Sequence, residues 1–137
     1  NLPPAILDAI REHHGTTLIS FVYEKARALD PDKHLLREDF CYPGPKPSSR
    51  ETALIMLADS VEAASRSLTD PTTSRLKGLV NSIIDGKIAD SQLDDCELTF
   101  IDLAVIKQSF LPVLTAMFHT RIEYPDGEAK KGNEKKA

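Results

Sequence analysis

Apolar residues recur at helical spacing in five stretches of the chain. A first helix is predicted over Leu2–Glu12, where two prolines suit the opening turn, and Gly15 is a natural stop after it. A second helix is predicted over Leu18–Leu29, with Thr16 or Thr17 as its N-terminal cap. Both helices are short and carry a narrow apolar side.

The third and fourth helices have clear start signals. Ser48 is expected to cap the third helix in a capping box with Glu51, and the apolar stripe that includes Leu54 continues to Leu68. The segment Thr69–Pro71 is expected to end this helix and begin the next one. Gly86 is expected to weaken or end the fourth helix, because glycine is a poor residue in a helix interior.

The fifth helix begins at a second capping signature, Thr99 with Asp102, and runs to about Arg121. Pro112 falls inside it and is expected to kink it or loosen a turn. The irregular, proline-rich stretch Pro31–Ser49 is expected to be an ordered loop packed on the body. The fold class is therefore predicted to be all-α, a bundle of about five helices with no sheet.

Composition narrows the class of protein. The 137 residues are 41% hydrophobic and 28% charged, typical of one globular domain. A net charge of −4 and the absence of tryptophan argue against DNA or RNA as a partner. No uninterrupted apolar run approaches the ~18 residues of a membrane span. Cys41 and Cys96 form no CxxC pair and are expected to be reduced thiols.

The two ends of the chain carry separate expectations. Residues 126–137 contain no apolar anchor and are rich in lysine, so they are expected to form a disordered, solvated tail. Asn1 stands where a whole protein would begin with methionine. The sequence is therefore expected to be a segment of a larger protein.

Two features point to chemistry beyond packing. His13 and His14 end the first predicted helix, and Asp59 interrupts an apolar stretch of the third. Two imidazoles and a carboxylate suit a transition metal with open coordination positions. The alternatives are solvent-facing histidines that interact with the helix dipole, and a partly exposed aspartate bonded to Arg66 or Arg50.

Several blocks of sequence are similar to one known family. They resemble the second half of the HD domain in PgpH-type phosphodiesterases, proteins with seven transmembrane segments and a cytoplasmic HD domain. The resemblance covers essentially everything but the tail. The blocks are Leu2–Thr17, Asp39–Phe40, Tyr42–Pro47, Met56–Arg66, and His119 with Arg121–Pro125.

The resemblance implies an all-α, metal-dependent phosphohydrolase that cleaves cyclic di-AMP. It implies a two-metal centre, usually iron or manganese, held by a ligand set of the form H…HD…H…HH…D. His13 and His14 match the HH pair and Asp59 matches the final aspartate. It also implies a location in the cytoplasm of bacteria, with the inner membrane reached only through an upstream region.

Half of that ligand set has no counterpart in the chain, which contains no His-Asp dipeptide. Residues 1–125 are therefore expected to be the C-terminal part of an HD domain. No catalytic residue is assigned, and the chain alone is expected to be inactive or nearly so. The alternative is a non-catalytic, HD-like interaction or signalling domain that lost its upstream ligands in evolution.

Two further expectations concern binding. Lys46, Arg66 and Arg121 are candidate contacts for the phosphates of a cyclic dinucleotide, because an acidic domain needs local positive charge to hold an anion. Solvated cations or salt bridges are the alternative for each. If the chain lacks several helices of its bundle, the apolar surface they covered is expected to drive self-association.

Overall fold

The chain folds into helices joined by loops. The computed structural model describes residues 1–32, 34–69 and 71–119, so the predictions for Arg121 and for residues 126–137 lie outside the described residues. Within those ranges an isolated bridge, Leu18 to Cys41, is the one β-type pairing. The all-α prediction without a sheet is confirmed. The α-helices are α1 (Pro4–Glu12), α2 (Ser20–Leu29), α3 (Arg50–Ser65), α4 (Thr73–Ala89) and α5 (Phe100–His119), and a short 3-10 helix covers Arg37–Phe40.

The core lies between α3, α4 and α5, which contact one another. Helix α1 packs against α3, whereas α2 contacts the 3-10 helix. The arrangement places the end of α1 beside the long axis of α3, where the candidate metal ligands lie. The buried core residues are Leu57, Val61, Leu76, Val80, Ile84, Leu103 and Leu114.

The start of α3 differs from the prediction by one residue. Ser49 is the N-cap, and it forms a reciprocal capping box with Thr52. The predicted pairing of Ser48 with Glu51 is wrong because Ser48 gives both its backbone N–H and its hydroxyl to Glu12. The carboxylate of Glu12, which is distant in sequence, therefore accepts from the Ser48 hydroxyl that the local pattern predicted to cap the helix.

The predicted start of α2 is also wrong, because long-range partners again take the hydroxyls that were expected to cap the helix. Its N-cap is Ile19, which makes no side-chain capping bond. The hydroxyl of Thr16 is bonded to Gln92, and that of Thr17 accepts from Lys87. Both threonines therefore tie the loop after α1 to α4 and to the turn that follows it.

Helix α4 begins after Thr72, whose hydroxyl accepts from the backbone N–H of Arg75, and not at Pro71. It continues through Gly86 to Ala89, so the prediction that Gly86 ends it is wrong. Glycine costs a helix about 0.5–1 kcal/mol relative to alanine, which packing of the apolar side of α4 readily offsets.

The predicted cap of α5 and the predicted packing of the proline-rich loop are confirmed, whereas the kink at Pro112 stays a prediction. Thr99 and Asp102 form the capping box at the start of α5, which continues through Pro112. In the proline-rich loop Pro47 is fully buried, and the backbone N–H of Tyr42 donates to the carbonyl of residue 17. This loop is thereby held against the segment that follows α1.

Large apolar side chains remain exposed on four helices, α1, α2, α3 and α5. Leu54, predicted to be buried, is 42% exposed, and Ile6 and Ile10 of α1 are exposed as well. Helix α5 exposes large apolar side chains near both of its ends, and we call this set the α5 stripe. Its large members are Phe100, Ile101, Val105, Val113 and Met117.

Helix α5 also bears on the membrane prediction. The segment Phe100–Phe118 is long and apolar enough to cross a membrane by length and composition, although no uninterrupted apolar run marks it. One such helix is a weak indication, since core helices of proteins outside membranes pass the same test. Here Leu103 and Leu114 of this helix are buried in the core.

Candidate metal-binding site

The two histidines lie where α1 ends. His13 is the C-terminal cap of α1, and its Nδ1 lies 3.0 Å from the carbonyl oxygen of Ala9 and 2.9 Å from that of Ile10. A carbonyl oxygen can only accept, so Nδ1 of His13 carries the proton. In the neutral imidazole, Nε2 is then the nitrogen with a free lone pair, which is the arrangement found in metal-ligating histidines.

His14 lies between an aromatic ring and a carboxylate. Its ring stacks on Tyr42 with 4.2 Å between centroids, and its Nδ1 lies 3.9 Å from Oδ2 of Asp59. That separation is too long for a hydrogen bond. It is shorter than the ~4.2 Å that two metal–ligand bonds of ~2.1 Å can span. The two atoms are therefore close enough for one ion to reach both.

Electrostatics favour the metal-binding form of His14. Burial is the largest influence and lowers its pKa, and the neighbouring His13 lowers it further, against the opposing effect of Asp59. A histidine with a lowered pKa is neutral at pH 7. Neutral imidazole is the form that binds metals, so the folded chain presents His14 ready for coordination.

Asp59 belongs to helix α3, which places its side chain near His14. Its side chain is 49% exposed, and neither arginine proposed as its alternative partner is bonded to it. Arg66 pairs with Glu62, and Arg50 pairs with Asp102. The interpretation of Asp59 as a simple arginine partner is therefore wrong.

The described residues contain no group of three His, Cys, Asp or Glu side chains placed to hold a metal together. His14 and Asp59 fit as a pair, and His13 contributes a free Nε2 beside them, with its ring centroid 3.9 Å from that of His14. The full set of His13, His14 and Asp59 as ligands of one centre stays a prediction.

A buried carboxylate fixes the end of α1. Glu12 is 5% exposed and accepts hydrogen bonds from the backbone N–H and hydroxyl of Ser48, each at 2.8 Å, and from the hydroxyl of Thr52 at 2.7 Å. These bonds tie the residue before His13 to the start of α3. Sequence reasoning missed this anchor, because its partners are 36 and 40 residues away.

Gln92 holds the turn after the histidines. It is 2% exposed, and its Oε1 accepts from the backbone N–H of Thr16 at 2.9 Å. Its Nε2 donates to the hydroxyl of Thr16 and to Asp90. Gly15 completes the turn with a positive φ of 55°, a conformation that suits glycine.

Glu12→Gln is expected to lower the free energy of unfolding by about 1.5–3 kcal/mol at pH 7, because hydrogen bonds to a charged acceptor are lost. Burial raises the pKa of Glu12, but the hydrogen bonds from Ser48 and Thr52 outweigh it and hold the pKa below 4.5. Its stabilisation is therefore full above pH 4.5 and lost as the pH falls through the lowered value.

Urea denaturation of both proteins at pH 7 and pH 3 measures this difference, which is expected to shrink at the lower pH. Glu97→Gln, at an exposed position after α4, is the matched control and is expected to change stability little. An equal loss of unfolding free energy for Glu12→Gln at both pH values would contradict the role of the ionised Glu12 carboxylate in fixing the end of α1.

Of the three candidate phosphate contacts, the structure pairs one with a carboxylate. Arg66 is exposed and bonded twice to Glu62, which matches the salt-bridge alternative. Lys46 is half-buried within the proline-rich loop, and Arg121 lies outside the described residues. The structure instead brings Lys87 of α4 close enough to influence His14 electrostatically, a contact that no local pattern in the sequence signals.

Comparison with known proteins identifies the relatives of this fold and site. No family model matches the chain. The chain is 44% identical over 128 residues to the cyclic-di-AMP phosphodiesterase PgpH of Bacillus subtilis, and 38% identical over 126 residues to that of Listeria monocytogenes. These alignments cover 93% and 92% of the chain.

The crystal structure of the L. monocytogenes PgpH HD domain in complex with cyclic di-AMP superposes with a TM-score of 0.80, at 37% identity over 90% of the chain. The chain is homologous to part of the PgpH HD domain. It spans 18% and 17% of the length of the two PgpH relatives and 57% of the crystallised HD domain. The predicted resemblance and the HD-type fold are confirmed.

Proposed function

We propose that this chain forms one side of a divalent-metal phosphodiesterase site that hydrolyses cyclic di-AMP. The observation that carries the proposal is the 3.9 Å approach of His14 Nδ1 to Asp59 Oδ2 at the end of α1. Both residues lie in the blocks that resemble the metal-binding part of the PgpH-type HD domain. The PgpH relatives carry the name of a cyclic-di-AMP phosphodiesterase, which supports the same substrate here.

His13, His14 and Asp59 are the proposed ligands. Iron or manganese in a two-metal centre is the proposed cofactor, and such ions supply Lewis-acid activation of a phosphodiester and of a water nucleophile. The residues of this chain hold and orient the ligands. The backbone carbonyls near the end of α1 fix the tautomer of His13, while Tyr42 stacks on the ring of His14.

The family set requires ligands that this sequence lacks, since no His-Asp dipeptide occurs in it. Residues 1–125 are proposed to be the C-terminal part of the HD domain. The domain is proposed to lie in the bacterial cytoplasm, in a protein anchored to the membrane by another region. The other ligands are then supplied from outside these residues.

The 137-residue chain incubated with cyclic di-AMP and Mn²⁺ or Fe²⁺ is therefore expected to show no turnover, whereas the gene product that carries it hydrolyses the dinucleotide. Half of a two-metal ligand set cannot position both ions on one phosphodiester. Chromatographic separation of substrate and linear product measures the reaction. Robust turnover by the 137 residues alone would contradict the proposal that some of the metal ligands lie outside them.

A second candidate function is a non-catalytic HD-like interaction domain. It is favoured by the absence, among the described residues, of three ligand side chains that converge on one point. The two candidates differ in metal binding by the gene product. An enzyme is expected to bind a divalent metal through His14 and Asp59, and an interaction domain is not.

Self-association is proposed as a property of the isolated chain. The α5 stripe exposes large apolar side chains, with Phe100 85% and Ile101 77% exposed. Exposed apolar surface favours association in water. Sedimentation velocity at tens of micromolar is expected to show dimers or larger species, and Ile101→Glu is expected to shift the chain toward monomer. A purely monomeric wild-type chain would contradict the proposal.

A further inference from the structure

Gln92 carries a buried amide in the turn that follows α4. In the part of the chain that the structure describes, the other buried polar side chains are those of Glu12, Thr52 and Ser65. Glu12 and Thr52 bond to each other, and Ser65 bonds to a carbonyl of its own helix. Gln92 instead bonds to a residue 76 positions away in the sequence. Because an amide is costly to bury without partners, this long-range contact accounts for its position.

The backbone of this turn is strained at Ser91. Its φ is 56°, and it is the one residue other than glycine with a positive φ in the described ranges. The backbone N–H of Ser91 donates to the carbonyl of Ile88, and that of Gln92 donates to the carbonyl of Lys87, each at 3.0 Å. These are the bonds of a Schellman cap, in which glycine usually takes the position of Ser91. Strain of this kind persists where surrounding contacts enforce it, and it is found at functional sites.

The amide of Gln92 contacts the two residues that directly follow His14. Its Oε1 accepts from the backbone N–H of Thr16 at 2.9 Å, and its Nε2 lies 3.0 Å from the hydroxyl oxygen of Thr16. Oε1 also occupies the space beside the Cα of Gly15, where an added Cβ would collide with it. Gln92 therefore determines the path of the backbone that leaves His14.

Asp90 fixes which way the amide of Gln92 points. Nε2 donates to Oδ2 of Asp90 at 3.0 Å, while Nη2 of Arg37 donates to Oδ1 at 2.9 Å. A carboxylate oxygen can only accept, so the nitrogen of the amide must face Asp90. The amide oxygen is then left for the backbone N–H of Thr16. The side chain is held from both ends.

His14 depends on this backbone more than His13 does. Backbone carbonyls of α1 fix the ring of His13. The ring of His14 stacks on Tyr42, and its Nδ1 lies 3.9 Å from Oδ2 of Asp59. Neither of these two contacts is a hydrogen bond. The direction of the His14 ring therefore follows from where the chain runs after it.

We propose that Gln92 is a positioning residue for His14. From the end of α4 it fixes the backbone of Gly15 and Thr16, and it thereby holds the imidazole of His14 between Tyr42 and Asp59. The proposal rests on the proposed function for the metal that His14 would bind. For the positioning itself, it rests on the hydrogen bonds of Gln92 and on the strained turn at Ser91.

Gln92→Met tests the positioning in the metal-free 137-residue chain. Methionine keeps the length of the side chain but cannot hold the backbone N–H of Thr16. The His14 ring protons are expected to lose the upfield NMR shift that the stacked ring of Tyr42 imposes on them. Gln108→Met, at an exposed position of α5, is the matched control and is expected to keep the wild-type shifts. Wild-type shifts in Gln92→Met would overturn the proposal.

Ser91→Gly separates positioning from stability. Glycine takes a positive φ without strain, so this variant is expected to raise the urea midpoint and to leave the His14 shifts unchanged. Combined with Gln92→Met, it is expected to offset the loss of stability without restoring the His14 shifts. Shifts that return together with stability would show that Gln92 acts through stability alone, and would overturn the proposal.

Manganese binding by the gene product separates this proposal from the proposed function. The free Mn²⁺ concentration, measured by its EPR signal, is expected to show about 10- to 100-fold weaker binding in Gln92→Met, as for other residues that orient a ligand. Gln108→Met is expected to bind as the wild type does. Lost His14 shifts with wild-type Mn²⁺ affinity would support the positioning and count against His14 as a ligand. Weakened Mn²⁺ binding with unchanged shifts would overturn the positioning.

Discussion

Asp59→Asn is expected to lower kcat/KM for cyclic di-AMP about 100- to 1,000-fold in the gene product that carries this chain. Asn keeps the size of the side chain and removes the negative charge that pairs with a divalent ion. Losing about 3–4 kcal/mol of metal-derived transition-state stabilisation corresponds to that factor. Initial rates of dinucleotide hydrolysis at saturating Mn²⁺ measure it.

The control for this variant is Asp94→Asn, at an exposed position in the turn after α4. It carries the same chemical change away from the histidines and is expected to leave the rate unaltered. Thermal unfolding of both variants checks that the fold is kept, as expected for a side chain that is half exposed. A rate for Asp59→Asn equal to that of Asp94→Asn would exclude Asp59 as a ligand.

Gly15→Ala is expected to destabilise the chain by about 2–4 kcal/mol, because strain in the left-handed region and overpacking add together. Gly15 has a φ of 55°. A Cβ there would lie 2.7 Å from Cε of Met56 and would also collide with Oε1 of Gln92. Met56 and Gln92 are both fully buried, so neither can move aside freely.

Gly78→Ala is the matched control for this substitution. A Cβ at Gly78 meets nothing within 4 Å, and alanine is expected to stabilise α4 by about 0.5–1 kcal/mol. Urea denaturation of both variants measures the difference. Because Gly15 follows the histidines directly, Gly15→Ala is also expected to weaken metal binding by the gene product. A stability equal to wild type would contradict the close packing around this turn.

The features that the sequence predicts correctly depend on residues that are close together along the chain. The period of apolar residues gives the helices, and the Thr99–Asp102 box gives the start of α5. The histidines and Asp59 stand out because each breaks an expectation of simple packing. Their approach across α1 and α3 follows from the resemblance, since nothing local relates residue 14 to residue 59.

The misses share one physical cause, which is competition for a polar side chain by a distant partner. Ser48 and Thr16 look like helix caps because hydroxyls at such positions usually bond to the nearby backbone. In the fold they bond to Glu12 and Gln92 instead, and the bond between Thr16 and Gln92 joins residues 76 apart. Such pairings depend on packing and cannot be read from spacing.

Burial was overestimated for a different reason. Leu54 fits the apolar period of α3, yet it is 42% exposed and lines an open surface pocket with Leu98 and Val105. The α5 stripe is exposed in the same way. A period shows which side of a helix is apolar, whereas the neighbours decide whether that side is covered.

Anomalous diffraction at the manganese and iron edges, from crystals of the gene product grown with each metal, tests the central claim most directly. The account predicts an anomalous peak within bonding distance of both His14 and Asp59, and a second peak close by. A peak coordinated only by other residues, or no peak near the end of α1, would contradict the assignment of this site.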